Sequence, residues 1–213
     1  MKTKPLFGIL CVVAMFIISA LAYPYMGDRV PIHWNIRGEI DGWGSPWISL
    51  LIMPLFGAGL LFLFNFLPKL DPIRKDYTPF NGTIARWHNA ILIFFVVLHA
   101  TVLAATVGWV LPMPQIAFVG TGLLLAFMGN EMRRLEPNSF YGIRMPWTIN
   151  DPQVWRESHR VGGRVFVVGG LIMALSALLP VGLLSTIIFM LVLPAMILGT
   201  VGYSWWVAQK LKK

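Results

Sequence analysis

Residues 87–130 read WHNAILIFFVVLHATVLAATVGWVLPMPQIAFVGTGLLLAFMGN, with no charged side chain between Arg86 and Glu131. As one helix rising ~1.5 Å per residue, this stretch would be roughly twice the ~30 Å thickness of a bilayer's hydrocarbon core. It must therefore fold back on itself. The break falls at Leu111-Pro112-Met113-Pro114-Gln115, because each proline lacks an amide donor and biases the preceding residue away from helix. The two arms are then membrane-crossing helices, since irregular backbone facing lipid would leave its amides unpaired.

The same reasoning extends in both directions. Leu6–Ala22 (LFGILCVVAMFIISALA) is an uncharged apolar run long enough to cross, and residues 46–67 form a second whose strongly polar side chain is Asn65. Between Arg164 and Gln209 the chain is again uncharged and too long for one span, with Leu179-Pro180-Val181-Gly182 as the turn. At 57% hydrophobic and 12% charged, the 213 residues hold too little polar material to coat a water-soluble domain. The expected fold is an all-α integral membrane protein with six transmembrane helices in three hairpins. It reads as one domain: an N-terminal hairpin over 1–67 with an outer loop at 24–45, a central hairpin over 87–130, a polar segment over 131–163, and a C-terminal hairpin over 164–208.

Orientation follows from lysine and arginine in short loops, which stay on the cytoplasmic side. With both termini inside, Lys2, Lys4, Lys69, Arg74, Lys75, Arg86, Arg133, Arg134, Arg144, Arg156, Arg160, Arg164, Lys210, Lys212 and Lys213 are cytoplasmic, leaving Arg29 and Arg37 outside. Trp43, Trp47 and Trp109 fall near the outer interface and Trp87, Trp205 and Trp206 near the inner one, where amphipathic rings concentrate. The net charge of +8 is thus accounted for by topology and by attraction to membrane lipid. Direct nucleic-acid binding is not required. The start, Met1-Lys2-Thr3-Lys4 with Ala20-Leu21-Ala22 further on, also has the pattern of a cleaved secretory signal; a retained first helix is expected, and an N-terminal mass beginning at Tyr23 would reduce the count to five. The single Cys11 offers neither an intrachain disulfide nor a metal-thiolate site.

Two loops carry what chemistry there is. In the outer loop Val30, Ile32, Trp34 and Ile36 alternate with polar or special residues, the period of a strand, and the glycine-rich remainder reads as turns. Such a strand lying on the bundle would bury its apolar side chains and show His33, Asn35 and Arg37 to the outside, either as a recognition surface or simply as an interface anchor. His33 and Asp41 are too few ligands for a metal site, and no cofactor is expected. The cytoplasmic segment 131–152 is too rich in proline, glycine and turn formers to be one helix. Asp151 reads as an N-cap with Pro152 at the first helical position. In the helix that follows, Val154, Trp155, Ser158, Val161, Gly162 and Val165 share one face, while Arg156, Glu157, Arg160 and Arg164 share another. This amphipathic helix is expected along the inner membrane surface, its arginines facing phospholipid or a docked protein, with Gly162-Gly163 allowing a bend or close packing.

Within this segment Gly142-Ile143-Arg144-Met145-Pro146-Trp147-Thr148, Val154-Trp155-Arg156 and Ser158-His159-Arg160-Val161-Gly162-Gly163 closely resemble the C-terminal signature of the SdpI-type immunity protein family. Pro31-Ile32-His33-Trp34-Asn35 and Gly38-Glu39-Ile40-Asp41-Gly42 resemble the uncharacterised N-terminal membrane domain that usually precedes it. Met145 departs from the pattern, which usually has threonine there. The resemblance implies a multi-pass bacterial plasma-membrane protein that protects the cell from a secreted peptide toxin. It also implies a second role, holding a cytosolic helix-turn-helix autorepressor at the membrane when toxin is bound outside. Under that reading His33, Trp34, Asn35, Gly38 and Asp41 are outer toxin-sensing candidates. Asn138, Gly142, Arg144, Pro146, Trp147, Thr148, Trp155, His159 and Arg160 are the cytoplasmic docking candidates.

Within the bilayer His99 and Asn65 need an account, because polar and ionisable groups at that depth are functional candidates. A neutral His99 bonded to a neighbouring helix is expected, with a proton relay as the alternative; His88 lies about 16 Å along the axis, too far to share a metal. Asn65 reads as an interfacial or interhelical hydrogen-bonding residue. Transport of an apolar peptide or other small substrate is the alternative function, although the spans carry no Asp, Glu, Lys or Arg. Catalysis is not expected, because no nucleophile and base converge at one depth. Helices rich in small residues, such as Gly57-Ala58-Gly59, leave the oligomeric state open.

Overall fold

A computed structural model describes residues 6–74, 76–180 and 182–212. Lys2, Lys4, Lys75 and Lys213 of the charge pattern, and Val181 of the C-terminal turn, lie outside the described residues, as does the start of the signal-like stretch. Seven α-helices are described: α1 (Leu6–Ala22), α2 (Pro46–Phe66), α3 (Asn81–Thr106), α4 (Met113–Met132), the one-turn α5 (Pro146–Ile149), α6 (Pro152–Ser176) and α7 (Leu183–Lys210). A two-stranded antiparallel hairpin, β1 (Val30–Trp34) and β2 (Ile40–Gly44), joins α1 to α2. By length and apolarity α1, α2, α3, α4 and α7 each suffice to cross a membrane. Much of their outward surface is apolar, as at Leu10, Leu55, Val97, Leu123 and Leu198, which suits lipid as the surrounding solvent.

The expected breaks are where the prolines placed them. α3 stops at Thr106, Gly108 turns the chain with a φ of +101°, and α4 opens at Met113 with Pro114 in its first turn. The C-terminal pair is interrupted between Ser176 and Leu183, with Gly182 at a φ of +152°.

The helices assemble as two triplets, α1-α2-α3 and α4-α6-α7, joined along α3 and α4. In the first, Ser19 of α1 donates its hydroxyl to the Leu50 carbonyl of α2 (2.7 Å), and His99 Nε2 of α3 lies 2.9 Å from Ser19 Oγ and 3.2 Å from the Met15 carbonyl. Carbonyls only accept, so Nε2 carries the imidazole proton and Ser19 spends its own on Leu50. His99 is fully buried and ties three helices together, with Nδ1 unpartnered among the described residues.

In the second triplet α4 and α6 run antiparallel at backbone contact. A Cβ on Gly163 would stand 2.6 Å from the Gly129 carbonyl, and one on Gly170 2.5 Å from the Gly122 carbonyl. Small residues let helix backbones approach this closely within a membrane. Gly162-Gly163 therefore serves packing, and α6 continues without interruption from Pro152 to Ser176, so the amphipathic stretch and the apolar stretch form one helix. Asp151 caps it, accepting from the amides of Gln153 (2.7 Å) and Val154 (3.1 Å).

Candidate functional site

At one end of the bundle, where α3 begins and α4 ends, the segment 133–151 folds into a small core of its own. Phe80, Ile84 and Trp87 meet Met132, Leu135, Tyr141, Ile143 and Trp155 there. Asn138, fully buried, closes the loop: its amide donates to the Glu136 carbonyl (2.8 Å) and the Tyr141 carbonyl (3.0 Å), and its oxygen accepts from the amides of Phe140 (2.8 Å) and Tyr141 (2.6 Å). Gly142 then passes directly over His159 with a φ of +101°, so close that a Cβ would overlap Nε2 of the ring. The Ile143 amide donates to His159 Nε2 (3.0 Å), while Nδ1 donates to the Trp155 carbonyl (2.8 Å). These two bonds require the neutral imidazole with its proton on Nδ1. The ring stacks on Trp155 at 3.9 Å, and the indole donates to the Leu135 carbonyl (2.8 Å).

Thr148 is also fully buried; it accepts from the Met145 amide (2.8 Å) and donates to the Ile143 carbonyl (2.7 Å). Trp147 reaches α7, its indole donating to Ser204 Oγ (2.9 Å). Asn138, Gly142, Thr148, Trp155 and His159 thus hold this segment in shape from within, whereas Arg144, Pro146 and Arg160 stand on its surface. Arg144 also donates to the Ser139 carbonyl. Met145 sits at the N-cap of α5, and its amide is met by Thr148.

Two carboxylates that carried no assignment in the sequence anchor the same end. Asp71 accepts from the hydroxyl of Ser139 (2.6 Å), the phenol of Tyr77 (2.5 Å), and the amides of Ser139 (2.9 Å) and Ile73 (2.8 Å). Burial would raise its pKa, but these bonds outweigh burial and hold the carboxyl well below its usual range. Burial and the bond to Asp71 push the Tyr77 phenol up, and burial pushes Tyr141 up to about 12. Glu131, at the end of α4, pairs with Arg86 of α3 and with Arg134; Arg86 Nε is 2.9 Å from its Oε2. The signal for both is an acidic residue embedded in a run of basic loops, which composition alone does not single out.

At the other end the hairpin lies on α2 and α3. The stretch expected as turns forms β2 instead, because Ile40 and Trp43 suit a strand and Gly42 admits His33, whose Cβ would be 2.8 Å from a Cβ added there. Register irregularities on either side of His33 upset strict alternation. Val30 is buried but Ile32 and Ile36 are not. Asn35 builds the turn, accepting from the amides of Arg37 (2.8 Å) and Glu39 (3.1 Å) and donating to Glu39 Oε2 (2.8 Å), while Gly38 takes a φ of +80°. His33 Nδ1 lies 2.5 Å from Asp41 Oδ1, with the imidazole largely exposed.

Beneath the hairpin, where the two triplets meet, is an apolar cavity of about 320 Å³. Trp34, Met53, Met113, Ala117, Met190 and Thr186 are in its lining, and the buried Thr186 hydroxyl has no partner among the described residues. Methionine-rich walls adapt to varied apolar shapes. A second cavity of about 460 Å³ on the other side of Trp34 is bounded by Trp43 and Trp109. Of the outer candidates, Trp34 and Asn35 line the apolar cavity together with His33, and Gly38 borders the second; Asp41 borders neither. Asn65 is exposed on α2 and donates within its own helix to the Leu61 carbonyl (2.7 Å). His88 stacks on Phe64 and lies 3.0 Å from the Tyr141 hydroxyl.

Comparison with known proteins agrees with the two patterns. Residues 134–204 match the SdpI/YfhL protein family, and residues 10–58 match a domain of unknown function, DUF1648. The first match covers the folded segment, α6 and most of α7; the second covers most of α1, the hairpin and much of α2. The chain is 26% identical to the immunity protein SdpI of Bacillus subtilis (strain 168) over 197 residues, which is 92% of each protein. No solved structure matches. The resemblance read from residues 31–42 and 142–163 therefore holds, and with its apolar helices the chain is a multi-pass protein of the bacterial plasma membrane.

Proposed function

We propose that this chain is a membrane immunity protein that gives its cell resistance to a secreted, membrane-active peptide toxin, without catalysis. Its similarity to an immunity protein across 92% of both sequences carries the reading. We place the toxin at the Met-lined cavity under the hairpin, into which an apolar side chain of the peptide inserts while Trp34 closes over it. In this reading α6 is the sixth span, since it lies against α4 from Gly129 down to Gly122, and both termini are cytoplasmic. The hairpin end then faces outward.

The test is survival. A toxin-sensitive bacterial strain expressing the full chain is challenged with culture supernatant of the toxin-secreting strain. Protection is expected, together with its loss in Ala117→Phe, which fills the cavity, and in Trp34→Ala. Full killing of cells that carry normal amounts of inserted wild-type chain overturns the immunity reading. Protection unchanged in both variants overturns the cavity as the toxin site.

The transducing role implied by the family resemblance belongs at the opposite end, where Arg144, Pro146 and Arg160 are exposed. Arg144→Ala with Arg160→Ala is expected to release the autorepressor from the membrane fraction in toxin-treated cells. Unchanged co-fractionation removes that part of the proposal.

A further inference from the structure

Along the seam between α4 and α6 there is an open groove of about 750 Å³ at the basic end of the bundle. Arg133, Arg156, Arg160 and Arg164 line one end of it, and Val167 and Val168 line the other. The spacing of the three α6 arginines stacks like charges on one helical face, which by itself is unfavourable. Only one is neutralised: Arg160 pairs with Glu157 at 2.6 Å. The side chains of Arg133, Arg156 and Arg164 make no hydrogen bond or ion pair among the described residues. Four guanidiniums against one carboxylate leave three positive charges uncompensated around one cleft.

Both walls change polarity in the same direction. On α6 the exposed stripe runs from Arg156, Arg160 and Arg164 through Val168 to Leu171 and Leu175; on α4 it runs from Arg133 through Asn130 to Phe127 and Leu123. The Gly129–Gly163 contact forms the floor and fixes the spacing of the two walls. A soluble anion would use only the charged half of such a groove. A docked protein segment would not call for walls that become apolar at membrane depth.

We propose that this groove binds one anionic phospholipid, with its phosphodiester between Arg133, at the end of α4, and the arginines of α6, and an acyl chain along Val168, Leu171 and Phe127. The surplus of positive charge favours a lipid with two phosphodiesters over one with a single phosphodiester, since planar guanidiniums pair with phosphate oxygens two at a time. The proposal rests on α4 and α6 lying in the bilayer and is independent of the toxin reading.

Native mass spectrometry of the full chain, purified in neutral detergent and exchanged against cardiolipin, phosphatidylglycerol or phosphatidylcholine, tests it. One retained cardiolipin per chain is expected, with phosphatidylglycerol weaker and phosphatidylcholine lost. Retention should fall at least tenfold in the double variant Arg156→Gln, Arg164→Gln, and several-fold in Val168→Asn. It should be unchanged in Arg37→Gln at the opposite end. Because the altered side chains are exposed, melting temperature and elution volume should match wild type, so a lost lipid is not a lost fold. Equal retention by the double variant overturns the proposal. So does equal competition by water-soluble glycerol phosphate, which would make the site one for free phosphate. Unchanged lipid retention in a double variant that no longer holds the autorepressor would assign the groove to protein docking instead.

Discussion

At Gly142 a single hydrogen stands where any other residue would place a methyl group against the His159 ring. The same position takes a positive φ, so two constraints meet there: space for the imidazole and a backbone angle that side chains rarely adopt. Gly142→Ala is expected to cost on the order of 3 kcal/mol, seen as a lower melting temperature of the detergent-solubilised protein and easier proteolysis within residues 136–150. His159→Gln should be milder, since an amide can still accept from Ile143. Asp71 provides a second test at this scale. Its carboxyl is held below its ordinary range by the bonds from Ser139, Tyr77 and Ile73, so the unfolded chain takes up its proton first as the pH falls. The stability it contributes is complete at neutral pH and drains away below about pH 4, where an unperturbed aspartate protonates. In Asp71→Asn the melting temperature should already be lower at pH 7, and its further decline between pH 4 and 3 should be shallower than in wild type. An identical slope in both proteins would show that the carboxylate is not what ties the α2–α3 connection to Ser139.

Among the elements, the α4–α6 pair depends most on what is missing. Glycines spaced by seven on each helix, Gly122 with Gly129 and Gly163 with Gly170, meet across an antiparallel crossing. Gly170→Leu would drive a side chain into the Gly122 carbonyl and the Ala126 amide and force the helices apart. A loss of about 1–3 kcal/mol or more is expected, together with collapse of the arginine groove at the same seam; the matching change at Gly199, where nothing lies within 4 Å, should be nearly neutral. Glycine pairing of this kind is legible in a sequence only as a pattern of small residues, whose partners are set by tertiary contact. Helix limits were far more readable, because prolines at 112, 114 and 180 act locally on the backbone. The hairpin was half readable. β1 announced itself by alternation, but β2 contains glycines that look like turns until His33 is placed against Gly42. Trp155 could be placed on its helix face from periodicity and His159 only through the signature, yet the burial of both depends on Gly142 and Leu135 arriving from an earlier part of the chain. Asp71 and Glu131 offered no more than an acid among basic loops, since their meaning comes from Ser139 and Arg86, far away in sequence.

For the molecule as a whole, the decisive quantity is which end faces which side of the membrane. Polar structure divides cleanly: the hairpin end carries Arg29 and Arg37, while the end formed by the α2–α3 and α4–α6 connections and the tail of α7 carries the remaining described cations. In the proposed orientation the latter lies in the cytoplasm and α6 crosses, with α7 beginning at the hairpin end and returning to Trp147 through Ser204. A Cys11→Ala background with a single cysteine at Arg37, and separately at Arg156, distinguishes the arrangements. The Arg37→Cys thiol should react in intact cells with a maleimide that cannot cross the membrane; the Arg156→Cys thiol should react only after permeabilisation. Labelling of both in intact cells would put the two ends on the same side and overturn this orientation, because α2, α3 and α4 separate the two positions. In that case the toxin site and the arginine groove would share one compartment, and coupling between them would need no transmembrane route. The opposite result leaves the α3–α4 seam as the physical connection between the two ends. It runs from the cavity wall at Val102 and Met113 to the Arg86–Glu131 pair, so Glu131→Gln should weaken any toxin-dependent response at the basic end while leaving toxin binding at the hairpin intact.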